Sequence, residues 1–312
     1  MNLSELLASL LFMDDEEIIS FATSSPYRYK VYSIAKRNSS ERRIIAHPSK
    51  ELKFIQRLII QQLTVILPVH KAAIAYTKGL SIKDNARPHA NSKYLLKMDL
   101  KDFFPSINPS LFFKECKKNG IDFSDLDMKI LEGFLFWKRR RTTNLVLSIG
   151  APSSPLVSNF ILFKFDEIIS NHCAILGINY TRYADDLTFS TNEKNVLLSF
   201  PAYVRKVLNT LYEGQIKVNL KKTVLSSKAH NRHVTGVTLT NEGCLSVGRN
   251  KKRQLSAAIH YFSLKKLSNE DIFKLKGSLA HSVFIEPDFL LQMERKYGKE
   301  IIFQLIHYAL DD

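Results

Sequence analysis

Two rhythms of apolar and polar residues alternate along the chain. In residues 52–67 apolar side chains recur at Leu52, Ile55, Leu58, Ile59, Leu63 and Ile66, the spacing of one helix face, and Pro68 marks the stop. The same rhythm predicts helices over 111–118, 125–137 and about 194–212, and one or two short helices in residues 1–24. Ser154 with Pro155 predicts an N-cap and first turn for a helix reaching about Ile169. Strands are predicted where β-branched and aromatic residues alternate with polar ones: 27–32 and 42–46, joined by the polar turn 36–41, then 94–100, and a hairpin around Asp185. Short strands follow near Lys217, Val224, Val234 and Leu245, and three or four helices fill the chain from Lys251 to its end. No internal repeat is evident. The order is mixed α+β, with antiparallel strands in the middle and a helical C-terminal piece.

Composition narrows the class of partner. The chain has 312 residues, 45% apolar, enough for a sizeable core, and no Gly/Ser- or Pro-rich linker interrupts it. A net charge of +15 points to a polyanion, nucleic acid first and an anionic membrane surface second. No apolar run approaches the roughly 18 to 20 residues of a membrane span, and residues 1–13, apolar without preceding positive charge, do not read as a signal peptide. Cys116, Cys173 and Cys244 are odd in number and lack metal-ligand spacing, which fits reduced thiols in a cytoplasmic protein.

The most informative segment is Tyr183-Ala184-Asp185-Asp186, two adjacent carboxylates at the crest of the predicted hairpin. Two such charges about 4 Å apart repel by roughly 1 kcal/mol in water and about 4 kcal/mol at an effective dielectric of 20. A divalent cation is the simplest compensation. Asp99, at the end of another predicted strand, supplies a third carboxylate. Three carboxylates on neighbouring strands suit two-metal phosphoryl transfer, although Asp99 alone could equally be a surface carboxylate.

Tyr183 to Asp186 is similar to the catalytic box of reverse transcriptases, and Asp99 to Phe104 resembles their first catalytic motif. Gly150-Ala151-Pro152-Ser153-Ser154-Pro155 resembles the motif that packs on the templating base pair, and Asn219-Leu220-Lys221-Lys222-Thr223 the motif after the catalytic hairpin. The resemblance implies a right-hand polymerase of fingers, palm with antiparallel sheet, and short helical thumb. It implies metal binding by Asp99, Asp185 and Asp186, with two Mg²⁺ ions, and a proton-donating role for Lys222 near the leaving pyrophosphate. It also implies substrate binding by Arg43, Phe104, Gly150 and Tyr183. Arg43 would grip the triphosphate, Gly150 would let backbone approach the substrate, and the Phe104 ring would exclude a 2′-hydroxyl. Ile149 stands where many relatives carry glutamine.

Asn85-Ala86-Arg87-Pro88-His89 and Val234-Thr235-Gly236 resemble elements of bacterial retron reverse transcriptases. The plain alternative for His89 is a loop histidine satisfied by backbone. The retron resemblance implies a cognate structured noncoding RNA as template and primer, branched RNA-linked DNA (msDNA) as product, and a cytoplasmic anti-phage unit with a separate effector protein. The rival expectations are a diversity-generating or abortive-infection lineage, or an RNA-binding scaffold restraining a toxin. The expected domains are N-terminal helices and fingers at 1–92, palm at 93–240 with a fingers insertion at about 106–150, and thumb at 241–312. The length leaves no room for maturase, endonuclease or RNase H modules. Basic clusters at Lys138, Arg139, Arg140 and Arg141, and at Arg249, Lys251, Lys252 and Arg253, are the expected nucleic-acid contacts, with Asn85 and His89 beside them. Tyr261 and Phe262 could stack on bases or pack within a helix layer.

Overall fold

The computed structural model describes residues 3–35, 42–139 and 142–309. The predicted turn at 36–41 lies outside these residues. In chain order the first elements are α1 (Leu3–Leu11), α2 (Asp15–Ser24), β1 (Tyr29–Ala35), β2 (Arg42–Pro48), α3 (Lys50–Ile66) and α4 (Ile82–Ala86). The middle of the chain forms β3 (Tyr94–Lys101), α5 (Phe103–Ser106), α6 (Pro109–Lys118), α7 (Asp125–Leu135), β4 (Trp137–Lys138) and β5 (Leu145–Val146). Then come α8 (Ser154–Ile161), α9 (Phe163–Ile175), β6 (Asn179–Tyr183), β7 (Asp186–Thr191), α10 (Phe200–Tyr212), β8 (Lys217–Val218) and β9 (Val224–Ser227). β10 (Arg232–Val234), β11 (Val237–Leu239) and β12 (Leu245–Ser246) precede α11 (Arg249–Ser263), α12 (Asn269–Ile285), α13 (Asp288–Tyr297) and α14 (Lys299–Ile306).

Two compact units result, and both are discontinuous in sequence. The first comprises 1–78, 97–187 and 198–224; the second comprises 79–96, 188–197 and 225–312. This division by compactness cuts across the fingers, palm and thumb expected from the sequence. The central sheet has the order β6-β7-β3-β8, with β9 also paired to β3.

In the first unit, β1 and β2 form an antiparallel hairpin in which Tyr29 pairs with Pro48 and Ala35 with Arg42. One face of the hairpin carries Tyr29, Val31 and Ala46 onto Trp137 and Val146. Phe112, Phe134, Phe136, Phe160 and Phe165 are fully buried, each stabilising by roughly 1.5–3 kcal/mol. α2 and α7 approach so closely at Gly133 that a Cβ there would stand 2.2 Å from the Ala22 carbonyl oxygen. Asp127, inside α7, turns its carboxylate onto the Leu3 and Ser4 amides at 3.0 and 3.3 Å and so caps α1.

In the second unit, Leu255, Ile259, Leu275, Leu279, Phe289, Met293, Ile302 and Leu305 form the core of a four-helix cluster from α11 to α14. A second cluster joins Ala86, Ala90 and Leu95 to Val234, Val237, Leu239 and Ile285. Phe262 packs against the helical core, whereas Tyr261 is half exposed.

Three predicted helices take different bounds. The helix expected over 125–137 ends at Leu135, because Phe136 turns extended and Trp137 enters β4 to pair with Val146. The helix expected from Ser154 to about Ile169 is two helices, interrupted at Leu162 (φ −87°, ψ 5°) with no proline or glycine to signal it. Its N-cap position falls to Ser153 rather than Ser154, with no side-chain cap. The helix expected from about 194 begins at Phe200: Asn195 is left-handed (φ 67°), and Pro201 fits only the first turn.

Candidate active site

Asp99 lies on β3, the central strand, between the buried side chains of Met98 and Leu100. Its own carbonyl accepts from the Asn219 amide at 2.7 Å, and the Leu100 amide donates to the Asp185 carbonyl at 2.9 Å. The backbone thus brings the end of β3, the turn after β6, and the segment after β8 to one place. Their side chains converge as well. Asn219 Nδ2 donates to Asp99 Oδ1 at 3.1 Å, and Lys222 Nζ to Asp99 Oδ2 at 2.8 Å.

The acidic turn is a two-residue hairpin loop, Ala184-Asp185, with Ala184 in the left-handed region (φ 56°). Glycine usually fills such a position, and a side chain there costs about 1–2 kcal/mol. A buried arginine holds the strained turn. Arg182 Nη1 donates to the Ala184 carbonyl at 3.1 Å and to Asn159 Oδ1 at 3.0 Å. Its Nε and Nη2 meet the Asp166 carboxylate at 2.9 and 2.6 Å, and Asp166 also accepts from the Tyr180 hydroxyl at 2.7 Å. Arg182 and Asp166 are both fully buried, so the desolvation of each charge is offset by this bidentate pairing together with the bonds to Tyr180, Asn159 and Ala184. The sequence reading passed over Arg182 and Asp166. The signal available was a charged residue at an inward position of a half-buried strand.

Charge crowding marks the site. Burial, then the neighbouring Asp99, raises the Asp185 carboxyl above its ordinary value, with Lys222 and Arg43 acting in the opposite direction. Burial, then Asp185 and Asp99, lifts Asp186 to about 6. The hydrogen bond to Asp99 raises Lys222, against the effect of burial. Lys97, beside Asp186, is lowered, chiefly by burial. The donors are all hard carboxylate oxygens, and their mutual destabilisation is what a divalent cation relieves, so this donor set fits such an ion. Among the described residues, however, no three His, Cys, Asp or Glu groups already stand as a ligand set. Lys222 and Asn219 occupy both oxygens of Asp99.

The other expected substrate residues lie in the same unit. Arg43 is exposed on β2. Phe104 is half buried on α5, its ring centroid 5.5 Å from that of Phe103, which is the core residue of the pair. Tyr183 is half buried at the end of β6. Gly150 has φ 122°, and a Cβ there would meet the Ala46 carbonyl oxygen at 3.2 Å, so the backbone passes close to β2. The Ile149 carbonyl accepts from the Ala46 amide at 3.1 Å, a bond that does not depend on the side chain at this position.

Two of the expected nucleic-acid contacts need correction. Asn85 and His89 are fully buried, so neither side chain reaches a ligand at the surface. Asn85 Nδ2 donates to Thr235 Oγ1 at 3.3 Å, and His89 Nδ1 lies 2.7 Å from Ser190 Oγ. The two sequence elements that resemble retron enzymes therefore meet each other and build the core. Lys252 is committed to the Glu286 carboxylate, which also accepts from Ser246 Oγ at 2.7 Å. Lys251 is half buried and Arg139 exposed, while Arg140 and Arg141 lie outside the described residues. Lys138 rests on the Tyr27 ring, 5.2 Å from its centroid. A basic, aromatic groove of about 950 Å³ that the sequence reading missed is lined by Arg28, Lys30, Tyr32, His47, Lys50 and Lys53 among others, with Tyr32 stacked on His47. No helix of the described residues is long and apolar enough to cross a membrane.

Comparison with known proteins places this arrangement. The family described as "Reverse transcriptase (RNA-dependent DNA polymerase)" matches residues 34–239. Retron Ec83 reverse transcriptase of Escherichia coli is 47% identical over 283 residues, covering 90% of each chain. Retron Ec73 reverse transcriptase of Escherichia coli is 34% identical over 286 residues, covering 89% of each. A solved telomerase of Candida albicans, in complex with a TWJ fragment of telomeric RNA, gives a TM-score of 0.48 at 11% identity, covering 91% of this chain and 66% of that one. That distant likeness adds nothing to the sequence relationship. With a matching stretch that runs from β1 to β11 and contains Asp99, Asp185 and Asp186, the chain belongs to the retron reverse transcriptases and is an RNA-directed DNA polymerase.

Proposed function

We propose that this polymerase copies a cognate structured noncoding RNA into branched, RNA-linked single-stranded DNA, and that Asp99, Asp185 and Asp186 carry its chemistry. The observation that supports the site most directly is the backbone bond from Leu100 to the Asp185 carbonyl, which sets the acidic turn beside Asp99. In this reading the three aspartates hold two Mg²⁺ ions, which when bound supply Lewis-acid activation of the attacking hydroxyl and charge neutralisation at the phosphates. Arg43 offers a planar guanidinium to the triphosphate. Phe104 presents its ring to the sugar and rejects a 2′-hydroxyl. Lys222 hands a proton to the leaving pyrophosphate, for which its ammonium must leave Asp99. While it rests on Asp99, that hydrogen bond raises its pKa and keeps the ammonium protonated.

The similarity to retron reverse transcriptases supports an RNA template, and a primer hydroxyl within that RNA belongs to the same proposal. The net charge of +15 suits retention of the nucleic-acid product. An anti-phage role with a separate effector protein belongs to the same proposal. The test has two arms. Wild-type protein purified from its host is expected to carry DNA joined to RNA through a 2′–5′ branch, and a linear product defeats the retron reading. Asp185→Asn is expected to abolish primer extension while RNA stays bound. Retained extension removes Asp185 from the chemistry.

A further inference from the structure

A short segment before the catalytic strands runs alongside them. Ala73 forms a parallel bridge with Arg182, the Arg182 amide donates to the Ala72 carbonyl at 2.7 Å, and the Ile74 amide donates to the Arg182 carbonyl at 2.8 Å. In a parallel pair both chains advance in the same direction at about 3.3 Å per residue, some 4.7–4.9 Å apart. Three residues beyond the bridge stand Tyr76 on one track and Asp185 on the other. Both tracks bend there, with Tyr76 at φ 65° and Ala184 at φ 56°.

One pair of buried side chains ties the two bends together. Asn159 Nδ2 donates to the Ala75 carbonyl at 2.9 Å, and its Oδ1 accepts from Arg182 Nη1, which also holds the Ala184 carbonyl. The carbonyls immediately before Tyr76 and Asp185 are therefore linked through Asn159 and Arg182. Thr77 Oγ1 closes the segment on the Ala73 carbonyl at 2.8 Å. A left-handed backbone is uncommon for a bulky residue and persists only where surroundings enforce it.

That restraint presents an aromatic ring to solvent. Tyr76 is 58% exposed, and among the described residues nothing hydrogen-bonds its hydroxyl. A ring held rigidly, left uncovered, and placed beside the acidic turn has no folding role to account for it. We propose that Tyr76 contacts the incoming deoxynucleoside triphosphate, its hydroxyl donating to the triphosphate on the side where Arg43 stands. A phenol suits that place because it brings a donor without adding charge to a crowded site. Burial, Asp185 and Tyr183 raise its pKa above 10, against Arg43, so the proton to be donated stays on the oxygen. The proposal rests on the polymerase reading given above.

The test uses the full chain on a primed RNA template, with single-nucleotide addition followed against deoxynucleotide concentration for wild type, Tyr76→Phe and Tyr76→Ala. Tyr76→Phe is expected to raise KM for the nucleotide about tenfold, the worth of one hydrogen bond to a charged group. Its kcat should stay within about twofold, and template–primer affinity and melting temperature should match wild type. An unchanged KM in Tyr76→Phe overturns the proposal, and so does a loss confined to Tyr76→Ala, which would make the ring a packing element. Wild-type extension in the same assay tests the polymerase reading separately, so the two failures are told apart.

Discussion

Arg182→Met removes the charge at the centre of the buried network while keeping most of the side chain's volume. Asp166 then loses the donors at 2.9 and 2.6 Å and keeps only the Tyr180 hydroxyl. Breaking one side of a buried pair costs about 3–5 kcal/mol, because the remaining charge stays desolvated. For a unit of roughly 200 residues, an unfolding entropy near 2.1 cal/mol/K per residue turns that loss into about 7–12 °C of melting temperature. Thermal melts followed by circular dichroism read it directly. Replacing Asp166 with Leu in the same chain should recover part of the loss, since no unpaired charge then remains. Primer extension well below the melting point adds a second readout. Arg182 also holds the Ala184 carbonyl, so kcat should fall even where the chain is folded. A shift of Arg182→Met below about 2 °C, or a double variant that loses the sum of the single losses, would refute the reasoning.

Phe104→Ala opens the sugar position and should raise ribonucleotide relative to deoxynucleotide incorporation about tenfold or more in a primer-extension competition; unchanged discrimination removes Phe104 from that role. Gly133→Ala, normally favourable in a helix, places a Cβ 2.2 Å from the Ala22 carbonyl oxygen and should destabilise by about 1–3 kcal/mol in a denaturant melt. His89 is held neutral by burial, its pKa pushed down from 6.5 to about 3. The unfolded chain therefore binds the extra proton between those values, and stability falls as pH drops below 6.5, by about 2 kcal/mol at pH 5 from this group. His89→Gln should flatten that part of the stability profile between pH 7 and 5. An unchanged slope shows that the imidazole is not buried neutral.

Local chemistry was legible in the chain where function demands particular residue types at short spacing. The adjacent carboxylates at 185 and 186, Asp99 with Phe104 five positions on, and the arginine and lysine that flank them could be read as a polymerase site, because metal ions and phosphates accept few substitutes. The rhythm of α3, β1–β2 and the helical C-terminal region was equally plain, since one-sided burial leaves a periodic trace. Helix interruptions such as Leu162 left none. Without a proline or glycine to mark them, they depend on what packs against them.

Exposure and partnership were decided only by tertiary structure. Asn85 and His89 carry the residue types of a ligand contact, yet the fold spends them on Thr235 and Ser190 inside the second unit. Lys252 looks like a phosphate contact until Glu286, far along the chain, neutralises it. Tyr76 carries no mark in the sequence, and its place beside the acidic turn follows from a parallel bridge between Ala73 and Arg182, more than a hundred residues apart. The sequence by itself determined the reaction class, because the acidic motifs state their chemistry locally. Which residues hold the reacting groups in position was determined by the fold alone, because desolvation and pairing depend on neighbours that the order of residues does not bring near.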